Sequence, residues 1–286
     1  MKIGRFGALG HEVPVAVQDQ VAYDLRRITA DIDPPFFERG GFSLVKDTIG
    51  ASLLDEYREP IAAEPVRVGA PIARPAAIVC VGMNYAAHAA ESGATPPSEL
   101  VLFYKHPNTL VGPNDAIRLP PGSTHTDWEV ELAVVIGRRA RYLDSESEAL
   151  GCIAGFTVSN DVSERRNQLE VSGGQWSKGK SSETFNPLGP WLVEPSCVDF
   201  SRGLRIQSWV NGEQRQDSNT ADLIFGIGKI IYELSQYMVL EPGDLINTGT
   251  PEGVALSGRF PYLKAGDTVE CSVEGLGSQK QLVEGA

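Results

Sequence analysis

The 286-residue chain is 42% apolar and 22% charged, a globular balance that excludes a disordered or fibrous protein. Its formal net charge of −12 argues against a nucleic-acid partner, which would call for a basic face. No apolar run approaches the roughly 18 residues of a membrane span, the start shows no signal-peptide pattern, and the 4 cysteines are scattered without a C-x-x-C pair, which suits a reduced, cytoplasmic protein.

The 30 glycines and 19 prolines punctuate short apolar runs, a pattern of many strands and turns. Residues 1–70 read as a small N-terminal domain. Within it "KIGRF", "VPVAV" and "QVAYDL" are short strands, and "FSLVKDTIGASLLDEYREP" is a helical stretch ended by Pro60. The main domain, 71–286, opens with "AAIVCVGMNYAAHAAE", a strand running into a helical turn. His88 and Glu91 lie three apart, so on that turn they share a face. A carboxylate beside an imidazole can fix its tautomer and raise its basicity, the makeup of a water-activating base. A plain surface pair is the competing reading. Two polar loops follow in the chain, 92–99 and 171–183, and such loops serve as lids or as mere connections.

"TDWEVELAVVIG" (126–137) reads as a strand entering a core. Asp127, Glu129 and Glu131 are spaced by two, so all three leave one face. The next residues on that face are Ala133 and Val135. Glu131 therefore needs a partner, because a buried unpaired carboxylate is costly. Asp161, at the end of the β-leaning run "GFTVSND", is a further acid. Carboxylate oxygens suit hard cations such as Mg²⁺, Mn²⁺ or Ca²⁺, whether structural or catalytic. Lys180, in "KGKSSETF", is placed to meet an anion or to be solvated. A helix is read from Leu223, Ile227, Ile230, Ile231, Leu234 and Met238. "MVLEPGDLINTGTPEGV" reads as strand, turn, strand and a glycine-rich turn offering Thr250, and the tail reads as a closing hairpin.

Five stretches, "GMNYAAHAAE", "DWEVELAVVIG", "NDVSERRNQ", "GKSSETFNPLGPWLV" and "PGDLINTGTPEGV", follow one another as in the fumarylacetoacetate hydrolase family, which the chain resembles over about residues 75 to 280. The likeness is strongest to the short bacterial branch, with its 2,4-diketo-3-deoxy sugar acid hydrolases and acylpyruvases. It implies an α+β, strand-rich fold: a mixed β-roll catalytic domain of the fumarylacetoacetase C-terminal type behind a small N-terminal α+β domain, assembled as a homodimer. It implies Mg²⁺ or Mn²⁺ held by Glu129, Glu131 and Asp161, with Asp127 outside the ligand set. His88 and Glu91 become a water-activating dyad, Lys180 the active-site lysine, and Arg165, Gln168 and Thr250 substrate-binding residues. Val81 stands where the larger fumarylacetoacetases carry a further metal-binding aspartate, which fits the smaller members.

The activity so implied is cleavage of the C3–C4 bond of a 2,4-diketo acid, an acylpyruvate, to pyruvate and a carboxylic acid. The same metal–enolate chemistry would serve a β-keto acid decarboxylase of the oxaloacetate type or an enol-diacid isomerase. A non-catalytic, metal-stabilised binding protein is the reading from another class.

Overall fold

The strand Val130–Ile136 is buried along its whole length, and the fold is arranged around it. Leu132, Val134 and Ile136 enter one apolar cluster while Ala133 and Val135 enter another, as the two-residue period of a strand requires. A strand covered on both faces reads as a continuous apolar run, which is why "LAVVI" carries no polar residue. The computed structural model describes residues 1–18, 21–51, 58–60, 66–91, 93 and 95–286.

Val130–Ile136 lies within an eleven-stranded sheet. It pairs antiparallel with Ile153–Asn160 on one side and with Leu245–Asn247 on the other. Leu245–Asn247 runs parallel to Ile78–Gly82, which pairs antiparallel with Val101–Lys105, so the sheet is mixed. Beyond Ile153–Asn160, the short strand Leu192–Val193 joins Lys2–Phe6, and Val13–Gln18 and Val21–Asp24 extend the same sheet. A five-stranded sheet contains Arg205–Val210, Glu213–Asn219, Thr268–Val273, Gly277–Glu284 and Ile117–Arg118. Its buried residues Ile206, Val269 and Val283 share the cluster of Leu132 and Val158. The helix Ile227–Tyr237 adds Ile230, Ile231 and Leu234 to that cluster at the spacing of one helical face. The architecture is the strand-rich α+β arrangement expected. Among the described residues no helix is long and apolar enough to cross a membrane.

Two local expectations are corrected. The helix expected over 42–60 forms only as Phe42–Gly50, residues 52–57 lie outside the described residues, and Arg58–Pro60 is a strand on Val21–Tyr23. That strand ends the sheet, where a proline's missing N–H costs no ladder bond. The strand expected at "MVLEP" is reduced to a single pairing of Leu240 with Ala140. Gly243, at φ +90°, turns the chain and donates its N–H to Ile136 at 2.7 Å, so the segment bends before it can run alongside a neighbour.

Since Leu132 is fully buried between the two sheets, Leu132→Ala is expected to lower stability by about 2–5 kcal/mol, read as a shift of the urea midpoint at unchanged slope.

Candidate active site

Register brings the acids together. Val130 pairs with Asn160 and Glu131 with Ser159. Just past the end of the ladder, the Asp161 N–H donates to the Glu129 carbonyl at 2.9 Å. Glu129, Glu131 and Asp161 thus offer carboxylate oxygens that lie within 4.8 Å of one another, and all three residues are buried. Asp127 departs from the expected common face. The strand is interrupted after Asp127, and Thr126–Asp127 pairs instead with Ser163–Glu164. The Asp127 carboxylate accepts from the N–H groups of Trp128, Ala255 and Leu256 and from Arg165. It therefore anchors the turn at residues 255–257 rather than joining the triad.

Three buried cations answer these acids. Lys180 Nζ donates to Glu129 Oε2 at 2.6 Å and to Asp161 Oδ2 at 2.8 Å. Arg165 reaches Glu129 Oε1 at 2.7 Å through Nη1 and Asp127 Oδ2 at 2.8 Å through Nε. Lys105, fully buried at the end of Val101–Lys105, donates to Asp161 Oδ1 at 2.5 Å and to the Val162 carbonyl at 3.0 Å. Glu131 receives the Gly249 N–H at 2.8 Å but no ion pair among the described residues. Burial, with the Asp161 and Glu129 carboxylates beside it, pushes Glu131 well above the ordinary carboxylate range. For Glu129, burial is outweighed by Lys180 and Arg165, which hold it down at about 2. Lys180 is lowered by burial but raised further by Asp161 and Glu129, and stays protonated.

This donor set fits a hard divalent cation. Three carboxylates converge, one of them lacks a compensating charge, and a carboxylate offers about four lone-pair sites, more than the hydrogen bonds here occupy. Oxygen donors of this kind suit hard cations such as Mg²⁺, Mn²⁺ or Ca²⁺ better than zinc, which favours nitrogen or sulfur ligands.

His88, Glu129, Glu131, Arg165, Gln168, Lys180 and Thr250 line one cleft of about 240 Å³. Asp161 is fully buried behind it. His88 and Glu91 share the face of the short helix Ala86–Glu91, with Nδ1 and Oε2 3.9 Å apart. Glu91 is held instead by the Gly253 N–H at 3.0 Å and Arg259 at 2.8 Å, and His88 Nδ1 has no hydrogen-bond partner among the described residues. Burial pushes the imidazole below its ordinary 6.5. Gln168 accepts from Arg165 at 3.0 Å. The Thr250 hydroxyl donates to the Val130 carbonyl at 2.8 Å and accepts from Gln216 at 2.9 Å, which ties it to the acid strand. Lys180 closes the helical turn Ser177–Lys180, where a Cβ on Gly179 would lie 2.4 Å from the Gln168 nitrogen. Only glycine lets the turn approach that closely. Larger clefts of about 880 and 450 Å³ open elsewhere, but no acid triad of this kind lies in them among the described residues.

The sequence reading passed over several residues that shape the site. Lys105 is a charge closing the apolar run "VLFYK", the same signal that singled out Glu131. Asn84 accepts from the Phe225 N–H and donates to the Phe225 and Thr248 carbonyls, binding the His88 helix to the loops beside it. Trp176, on the cleft wall, stacks against Phe103 with ring centroids 5.6 Å apart.

Fold and cleft together define a strand-rich α+β enzyme whose centre is built on acidic oxygen donors. The chain belongs to the fumarylacetoacetate hydrolase family: the family model "Fumarylacetoacetate (FAA) hydrolase C-terminal" matches residues 77–284. A 2,4-didehydro-3-deoxy-L-rhamnonate hydrolase of Sphingomonas sp. (strain SKA58) is 42% identical over 287 residues, covering 99% of this chain and 96% of that protein. Among solved structures, 5-carboxymethyl-2-hydroxymuconate delta-isomerase from Mycobacterium smegmatis is 34% identical, with a TM-score of 0.77, covering 100% of this chain and 99% of that one. Maleylpyruvate hydrolase from Sphingobium sp. SYK-6, in complex with manganese(II) and pyruvate, is 26% identical with a TM-score of 0.79, both chains being fully covered.

Removing Lys105 strips Asp161 Oδ1 of its partner, while Lys180 still holds Oδ2. Lys105→Met is therefore expected to cost about 3 kcal/mol of folding stability, the lower end for a broken buried ion pair, measured by urea unfolding in the presence of chelator. Solvent-exposed Arg139, 3.0 Å from Glu241, provides the control: Arg139→Met should cost no more than about 1 kcal/mol.

Proposed function

We propose that the protein is a divalent-cation-dependent hydrolase that cleaves the C3–C4 bond of a 2,4-diketo acid to give pyruvate and a carboxylic acid. The observation that carries this reading is the convergence of Glu129, Glu131 and Asp161 at a small cleft that is also lined by His88, Lys180 and Arg165. The diketo sugar acid named for one relative and the manganese(II) and pyruvate named for another support it. The reading keeps the expectations of a homodimer and a cytoplasmic setting.

Glu129, Glu131 and Asp161 would hold Mg²⁺ or Mn²⁺, which supplies Lewis-acid stabilisation where negative charge develops on an oxygen. Lys180 and Arg165, kept protonated by the acids around them, orient the substrate carboxylate and 2-oxo group together with Gln168 and the Thr250 segment. His88, neutral because it is buried, takes a proton from water. Its Nδ1 points toward Glu91, so the proton goes to Nε2. The hydroxide oxygen bonds to C4. The C3–C4 bond breaks, and its electron pair leaves as the enolate of pyruvate. The proton returns from His88 to C3, giving pyruvate and the acid. Glu91, anchored by Arg259 and Gly253, steadies the imidazolium while the proton is held; such contacts are often long before substrate binds and tighten with it. A second reading, proton transfer on an enol diacid, is supported by the isomerase among the solved relatives.

Pyruvate release from acetylpyruvate and from a 2,4-diketo-3-deoxy sugar acid, with Mg²⁺, with Mn²⁺ and after chelation, tests the reading. Cation-dependent release with one equivalent of the matching acid is expected; isomerised substrate without pyruvate would favour the second reading. His88→Ala should cut turnover by about 10²–10⁴-fold while calorimetric Mn²⁺ affinity stays within a factor of a few. A neutral base is active above its own pKa, and burial has lowered that value, so the acid limb of kcat/KM should fall below pH 6.5.

A further inference from the structure

The cleft lining is of two kinds. Glu129, Glu131, Lys180, Arg165 and His88 make its polar part, and Met83, Phe103, Leu169, Trp176 and Leu256 its apolar part. The two meet at Phe103, whose ring centre lies 5.1 Å from Lys180 Nζ. Trp176 is packed so closely on the chain that a Cβ at Gly82 would lie 2.5 Å from its ring, and it stacks on Phe103. Leu169 and Leu256 continue the apolar lining outward, 45% and 37% exposed. Apolar side chains that continue the lining of a cleft offer a seat to an apolar group.

The charges point the same way. The two cations lining the cleft are both engaged by acids, Lys180 at 2.6 and 2.8 Å and Arg165 at 2.7 and 2.8 Å. Arg259, outside the lining, is engaged by Glu91 at 2.8 Å. A second substrate carboxylate against Trp176, Leu169 and Leu256 would exchange part of its water for aromatic and aliphatic carbon, and among the described residues the lining offers no cation that is not already engaged by an acid. The volume, about 240 Å³, is also below the roughly 300–1,000 Å³ of sites for drug-sized ligands.

Resting on the diketo-acid reading above, we infer that the group carried on C4 is short and uncharged, its apolar end seated on Trp176, Leu169 and Leu256. The protein is then an acylpyruvate hydrolase that discriminates against dicarboxylic substrates.

A matched pair tests this. Butanoylpyruvate and succinylpyruvate have C4 groups of equal chain length that differ by a methyl against a carboxylate. With the Mn²⁺-loaded enzyme, kcat/KM for butanoylpyruvate should exceed that for succinylpyruvate by at least about tenfold, the scale of discrimination open to such pockets. A ratio of one or below overturns the inference. Leu256→Arg places a cation in the apolar part, on a partly exposed residue that tolerates it. It should shift the ratio toward succinylpyruvate by about tenfold, and an unchanged ratio in a folded variant would overturn the placement of the tail. If no diketo acid releases pyruvate, the hydrolytic reading fails instead. Calorimetric binding of the two compounds to the Mn²⁺-loaded protein then decides the tail preference by itself: tighter butanoylpyruvate binding supports it, equal or weaker binding overturns it.

Discussion

Buried negative charge is the constraint on which the structure turns. Asp127, Glu129, Glu131 and Asp161 are all buried where two antiparallel strands meet at their ends. Carboxylates about 4 Å apart repel by about 4 kcal/mol even at an effective dielectric near 20. The surrounding elements therefore bring compensation. Val101–Lys105 delivers Lys105, the turn Ser177–Lys180 delivers Lys180, and the chain after Ser163–Glu164 delivers Arg165. Backbone N–H groups of Gly249, Ala255 and Leu256 supply the remainder. Four acids face three bases, and Glu131, which has no base beside it among the described residues, is pushed well above the ordinary carboxylate range by burial and by Asp161 and Glu129.

The compensation also holds the geometry. Lys105 takes one oxygen of Asp161 and Lys180 the other, while Arg165 bridges Asp127 and Glu129. Charge-assisted bonds of this kind are short and directional, so the acids are positioned before any ligand arrives. Close packing does the same on a larger scale. Gly179 lets the Lys180 turn lie against the Gln168 backbone, and Gly249, at φ +103°, aims its N–H at Glu131. A rigid acidic part and an apolar wall around Trp176 thus share one cleft, and they divide recognition of the reacting head from recognition of the tail.

The acids that form the triad were readable because they violate their surroundings. Glu131 sits one step from Ala133 in an apolar strand, and Asp161 closes an apolar run. His88 and Glu91 were readable from helical spacing. Asp127 was misplaced, since alternation predicts a common face only while the strand is continuous, and pairing with Ser163–Glu164 breaks it. Lys105 showed the same kind of local violation as Glu131 but has no acidic neighbour in sequence; its partner Asp161 lies 56 residues away. Arg58–Pro60 failed for a similar reason. Whether that segment extends a helix or joins the sheet depends on an edge 37 residues earlier.

By itself, the sequence determined the strand-rich class, the buried central strand, a helix read over Leu223 to Met238 of which Ile227–Tyr237 forms, and the identities of the acids, because these follow from short-range periodicity and from single residues out of keeping with their neighbours. Only the tertiary structure decided which bases meet these acids, that Asp127 serves a turn, and that Trp176 and Phe103 share the cleft wall. Those outcomes depend on register and on contacts between segments far apart in the chain, and no local pattern encodes them.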